Sequence, residues 1–102
     1  MASARIAALA TLAWCVGLGA THAAGDRAFG EYLSAECVTC HRAGAQQGIP
    51  SIFGLPPAAF VDLLTQYRQK QRANPIMQTI ASRLTDDEMA ALAAYFSSLP
   101  AR

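Results

Sequence analysis

The sequence predicts an all-α domain of three to four short helices joined by loops, and three observations carry that prediction. Apolar residues recur at helical spacing in three separate stretches, each preceded by a residue that can cap or open a helix. Beyond the N-terminal stretch there is no βαβ pattern and no run that reads as a parallel strand. The third is the pentapeptide Cys37-Val38-Thr39-Cys40-His41, two thiols three positions apart with an imidazole directly after them.

Residues 1–23 read as a cleaved signal peptide. Arg5 supplies a positive start, Ile6 to Ala20 is almost unbroken apolar sequence, and Thr21-His22-Ala23 offers small residues at the cleavage positions, with the bond placed after Ala23. The apolar run is roughly 15 residues, short of the ~20 that span a bilayer core, so no stable membrane span is expected in the mature form. Cys15 is read as part of this run rather than a lipid-attachment site, because Trp14 stands where such a site needs a small residue. The expected compartment is the bacterial periplasm.

Residues 24–102 then form a single domain of about 79 residues, small for a self-sufficient core. A buried, covalently held cofactor would staple such a domain, and the chain without it is expected to fold poorly. Charge is nearly balanced, 8 Lys and Arg against 7 Asp and Glu, which leaves no nucleic-acid footprint.

The first helix is expected over Asp26 to Glu36. Asp26 can cap it, and Phe29, Tyr32 and Leu33 form an apolar stripe. Gly30 inside this helix marks either a close backbone approach or a tolerated surface position. A loop follows from Arg42 to Pro57, rich in Gly and Pro, whose Ile49, Ile52, Phe53 and Leu55 seek burial. The second helix is expected over Pro57 to Arg72, with proline in its first turn, a stripe of Phe60, Leu63, Leu64 and Tyr67, and the cations Arg68, Lys70 and Arg72 at its negative end. Those cations read as a solvated, dipole-matched helix end or as a docking patch. Asn74-Pro75 breaks the chain before a short helical turn over Ile76 to Ala81. Thr85 and Glu88 form a capping box for the last helix, whose Met89, Leu92, Ala93, Phe96 and Leu99 share one face before Pro100.

The pentapeptide is the attachment pattern of a c-type haem. Thiols at i and i+3 share one helical face and can form thioethers to both vinyl groups of one porphyrin, which carries His41 under the ring as proximal ligand. A ligating His donates its other ring N–H to an acceptor, and a backbone carbonyl of the loop around Pro50 is the natural candidate. Competing readings are weaker. A zinc site lacks ligands, since only Cys15 and His22 remain outside the motif; a thioredoxin-like centre lacks its βαβ platform; and a plain disulfide leaves His41 without a role.

What fills the sixth iron position separates electron transfer from ligand chemistry. Met77, set on a turn after a proline, is the expected ligand. Met89 reads as core filler on an apolar stripe, and an open position is the remaining alternative. The expected cofactor-binding residues are therefore Cys37, Cys40, His41 and Met77, with His41 and Met77 on the metal of one covalent heme c. No catalytic residue is expected.

A haem motif on a first helix, a Pro-containing loop, a middle helix, a Met-bearing turn and a C-terminal helix together resemble the small single-haem class I cytochromes c. The resemblance covers essentially the whole mature chain. It implies an electron-transfer protein rather than an enzyme, and a crossing of the terminal helices in which Gly30, with Tyr32 or Leu33, meets Tyr95 or Phe96. Within that family, Gly48-Ile49-Pro50-Ser51-Ile52 and Met77-Gln78-Thr79-Ile80-Ala81 look like the cytochrome subunit of flavocytochrome c sulfide dehydrogenase. That likeness implies an exported flavoprotein among its redox partners. Balanced charge leaves recognition to a local rim, for which Ile49, Ile52, Phe53 and Arg42 are the candidates, the other reading being that these apolar side chains simply close the pocket. The alternatives are a gas-binding or sensing haem protein with an open sixth site, and a haem-free thiol oxidoreductase.

Overall fold

A computed structural model describes residues 25–44 and 47–102, besides the isolated positions 3, 10 and 13. Apart from those three positions, the expected signal peptide, with Cys15, His22 and its cleavage bond, lies outside the described residues. Four helices follow in order: α1 (Arg27–Cys37), α2 (Pro57–Arg68), α3 (Pro75–Ser82) and α4 (Asp86–Ser97). Among the described residues, no helix is long and apolar enough to cross a membrane.

α1 starts where Asp26 predicts it, with the carboxylate accepting the Phe29 N–H at 3.1 Å. Its buried positions are Gly30 and Ser34, one turn apart, and they face α4. A Cβ on Gly30 would lie 1.9 Å from the Ala91 carbonyl oxygen and 2.9 Å from the Tyr95 Cβ. Gly30 is therefore a close backbone approach, and no side chain fits there. Ser34 is compatible with the same contact because its hydroxyl donates to the Glu31 carbonyl at 2.6 Å, so no buried polar atom is left unpaired.

The crossing turns α1 away from the stripe expected for it. Tyr32 is 78% exposed and Phe29 40%, the two rings stacked outside at 6.5 Å, while Leu33 packs on the core. Tyr32 is not among the residues packed on the core. Burying the small residues allows backbone-to-backbone packing, which a Phe29–Tyr32 face would hold apart.

α2 begins at Pro57 as expected and ends at Arg68, four residues early. Lys70 adopts the left-handed region at φ +59°, its N–H donating to the Tyr67 carbonyl at 3.0 Å and the Gln71 N–H to Gln66 at 2.8 Å. This pair of bonds is a Schellman turn with lysine where glycine is usual. Of the three cations expected at this helix end only Arg68 belongs to it, and it bonds the Leu84 carbonyl and pairs with Asp86 at 2.7 Å.

The expected turn after Asn74 is a full two-turn helix. Pro75 opens it and the Asn74 side chain accepts the Met77 N–H at 3.0 Å. The capping box of α4 forms as read: the Thr85 hydroxyl accepts the Glu88 N–H at 3.2 Å and the Glu88 carboxylate accepts the Thr85 N–H at 3.0 Å. Met89, Leu92, Ala93 and Phe96 are buried, and Phe96 gathers Phe53, Phe60 and Tyr95 at 5.2–5.8 Å between ring centroids. Each such aromatic pair adds about 0.5–1.5 kcal/mol beyond its buried area. The loop is tied to this core through Gly54, whose N–H donates to the Phe96 carbonyl at 2.9 Å and whose positive φ favours glycine, with Ala101 packed where a Cβ would lie.

Candidate functional site

α1 delivers the pentapeptide directly. The helix ends at Cys37, and the N–H groups of Cys40 and His41 both return to the Cys37 carbonyl, at 3.2 and 2.8 Å, so the five residues form one compact turn. Cys37 and Cys40 are free thiols with no disulfide between them. Burial, with a smaller contribution from the adjacent Glu36 carboxylate, pushes the Cys37 thiol up to about 11. Reactive redox cysteines have lowered values, the opposite direction.

His41 is held by the loop. Its Nδ1–H donates to the Pro50 carbonyl at 2.7 Å, the acceptor expected from sequence. That bond fixes the tautomer and leaves Nε2 with the lone pair that binds a metal.

Cys37, Cys40 and His41 line a cavity of about 360 Å³, within the size range of cofactor sites, and Met77 lines it too. The remaining wall is almost wholly apolar, from Ile49, Pro50, Ile52 and Leu55 of the loop, Phe60, Leu63, Leu64 and Tyr67 of α2, Ile76 and Ile80 of α3, and Leu84 and Leu92. Met77 reaches this wall because Asn74 and Pro75 set the first turn of α3. Met89 is fully buried in the core, outside the cavity wall, with the Thr65 hydroxyl 4.0 Å from its sulfur. The two methionines are thus separated by position as well as by burial.

Of the rim expected from sequence, Ile49 and Ile52 line the cavity. Phe53 instead packs on Phe96, and Arg42 is exposed away from the wall. Several lining residues were given no role in the site by the sequence. Ile76 is 72% exposed at the mouth; Arg72 and Asn74 belong to the turn before α3; and the Ser51 hydroxyl is buried without a partner among the described residues. Nothing in the sequence pointed to Arg72, because the α2 pattern reads on through it.

Two thiols, one imidazole with its Nε2 free and one thioether, set in an apolar wall, match the donor set of a c-type haem in kind and number. Among the described residues no cluster of three or more His, Cys, Asp or Glu forms an alternative metal site.

Comparison with known proteins points the same way. The family described as cytochrome c oxidase, cbb3-type, subunit III matches residues 20–96. The chain is 41% identical over 69 residues to the thiosulfate dehydrogenase electron acceptor of Stutzerimonas stutzeri (strain A1501), covering 64% of this chain and 32% of that protein. It is 32% identical over 72 residues to the cytochrome subunit of sulfide dehydrogenase of Chlorobaculum tepidum, covering 69% of this chain and 66% of that protein. The chain thus spans about a third of the first relative's length. Among solved structures, reduced recombinant cytochrome c4 from Pseudomonas stutzeri superposes with a TM-score of 0.66 at 25% identity, over 76% of this chain and 52% of that one. The four-helix architecture, the cavity with its donor set and these matches together place the chain in the cytochrome c family, whose haem domains carry electrons.

Proposed function

We propose that this chain is an exported c-type cytochrome that passes single electrons through one covalently attached haem, ligated by His41 and Met77. The observation that carries the reading is the convergence of Cys37, Cys40, His41 and Met77 on one apolar cavity, with His41 Nδ1 already committed to Pro50. Cys37 and Cys40 would hold the haem covalently, each thiol adding across one vinyl group with its sulfur and proton both retained, and His41 and Met77 would supply the iron with a nitrogen and a thioether. When bound, the haem would supply a one-electron couple, which a thioether ligand biases toward the reduced state. The protein walls exclude water from the site and hold both ligands in place through the change of charge.

Partners are inferred from the relatives. An electron acceptor of thiosulfate dehydrogenase and a cytochrome subunit of sulfide dehydrogenase both serve sulfur-oxidising enzymes by their names. The proposed partner here is an exported dehydrogenase of that class, with a flavoprotein acting on sulfide as the specific candidate. Function would follow removal of residues 1–23 and delivery to the periplasm.

Visible spectra of the purified mature protein test the reading. Sharp low-spin bands that survive acid extraction are expected. Met77→Ala should convert them to a CO-binding form in the ferrous state, while Met89→Ala should leave the ligand set intact. High-spin, CO-binding spectra in the unsubstituted protein would assign an open sixth site instead, and an open site in Met89→Ala alone would move the ligand to that residue.

A further inference from the structure

The cavity wall holds one permanently charged side chain, Arg72, and its place there follows from the backbone. The left-handed Lys70 ends α2 and folds the chain back, so that the Arg72 guanidinium carbon lies 5.5 Å from the centroid of the Tyr67 ring. Tyr67 lines the same cavity. The Arg72 carbonyl accepts the Gln78 side-chain amide at 2.9 Å, which ties the turn to α3. Among the described residues the ion pairs are Arg68–Asp86 and Arg83–Glu36, and Arg72 takes part in neither.

A cation stacked on an aromatic face keeps its N–H edge free, and that planar edge matches a carboxylate in bidentate fashion. The only charged groups on the periphery of a haem are its two propionates. We propose that Arg72, held face-on by Tyr67, is the anchor for a haem propionate and thereby a positioning residue that tunes the reduction potential; this rests on the haem reading above. The guanidinium offsets the propionate charge near the iron. Ferric iron gains more from an uncompensated carboxylate than ferrous iron does, so loss of Arg72 favours the oxidised form.

The test uses the mature haem-bearing protein and two readouts. In spectroelectrochemical titration, Arg72→Gln is expected to lower the midpoint potential, and Arg72→Lys, which keeps the charge without the planar fork, to recover part of the shift. In proton NMR of the ferrous unsubstituted protein, the methylene protons of one propionate are expected to show Overhauser contacts to the Tyr67 ring and the Arg72 side chain. Both are required. An Arg72→Gln potential equal to that of the unsubstituted protein, or propionate methylenes in contact with neither residue, overturns the proposal. Should Arg72→Gln fail to accumulate with haem, the NMR measurement on the unsubstituted protein decides alone. A purified chain without haem bands overturns the cytochrome reading and this inference with it, whereas a haem-bearing protein that lacks the contacts overturns only this inference.

Discussion

The helix pair α1 and α4 and the cavity side of the molecule are built by different means. At the crossing, Gly30 brings backbone against the Ala91 backbone, Ser34 satisfies itself locally, and Met89, Leu92 and Phe96 of α4 are fully buried. Around the cavity, the loop, α2 and α3 present Ile49, Leu63, Tyr67, Ile76 and Met77 toward a shared space instead of toward one another, and Ile76 and Ile49 remain 72% and 37% exposed. The first region is a protein core; the second is a wall whose apolar contacts are completed by a bound group. Stability and function are therefore expected to fail separately, the first through α1 and α4 and the second through the cavity residues.

Replacing His41 by Ala tests this division most severely. It removes the proposed nitrogen ligand and the Pro50 bond together, so the proposed covalent haem, read by pyridine haemochrome absorbance, is expected to be lost, with the near-ultraviolet circular dichroism of the cavity side. Retention of haem in this variant would mean that the wall does not depend on the ligand. Met89→Ala attacks the other region. A fully buried methionine cut to alanine is expected to cost about 2–5 kcal/mol in chemical denaturation of the haem-bearing protein, with the low-spin spectrum kept in the folded state.

A smaller loss, about 1–3 kcal/mol, is expected for Gly30→Ala, because the new methyl group meets the Ala91 carbonyl and α1 must lift from α4. The gain in helix propensity, about 1 kcal/mol, opposes this, so a neutral result would show that the crossing yields easily. The mildest change is Asn74→Ala, which removes the cap of α3 at a cost of about 1 kcal/mol. Because the lost bond is to the Met77 N–H, this variant should also let added imidazole displace the thioether at lower concentration than in the unsubstituted protein. Equal displacement would separate the cap from the ligand.

What the sequence made legible was chemistry confined to a few neighbouring residues. Asp26, Pro57 and the Thr85–Glu88 pair act on the turn beside them, so their roles hold wherever the helices pack. The haem motif is equally local, and its Pro50 partner lies only nine residues further on. The buried side of α1 was not legible, since it depends on α4, about 60 residues away along the chain, and Phe29 and Tyr32 carry an apolar signal regardless of where that helix lies. The end of α2 escaped for a different reason. Lysine at a left-handed position gives no glycine signal, and three cations after an apolar stripe match a helix terminus equally well. The place of Arg72 over Tyr67 was hidden behind that same turn.

The Arg27 Nε–H donates to the Ser98 hydroxyl at 2.8 Å, joining the first turn of α1 to the residue that follows α4. Neither residue lies in the cavity wall. The chain therefore enters α1 and leaves α4 at one edge, before its last residues return to the loop, where the Gly44 N–H donates to the Arg102 carbonyl at 3.1 Å. Domains with adjacent ends tolerate being inserted into, or strung along, longer polypeptides. The side before α1 is thus the one where another module could join without bearing on the loop beside His41.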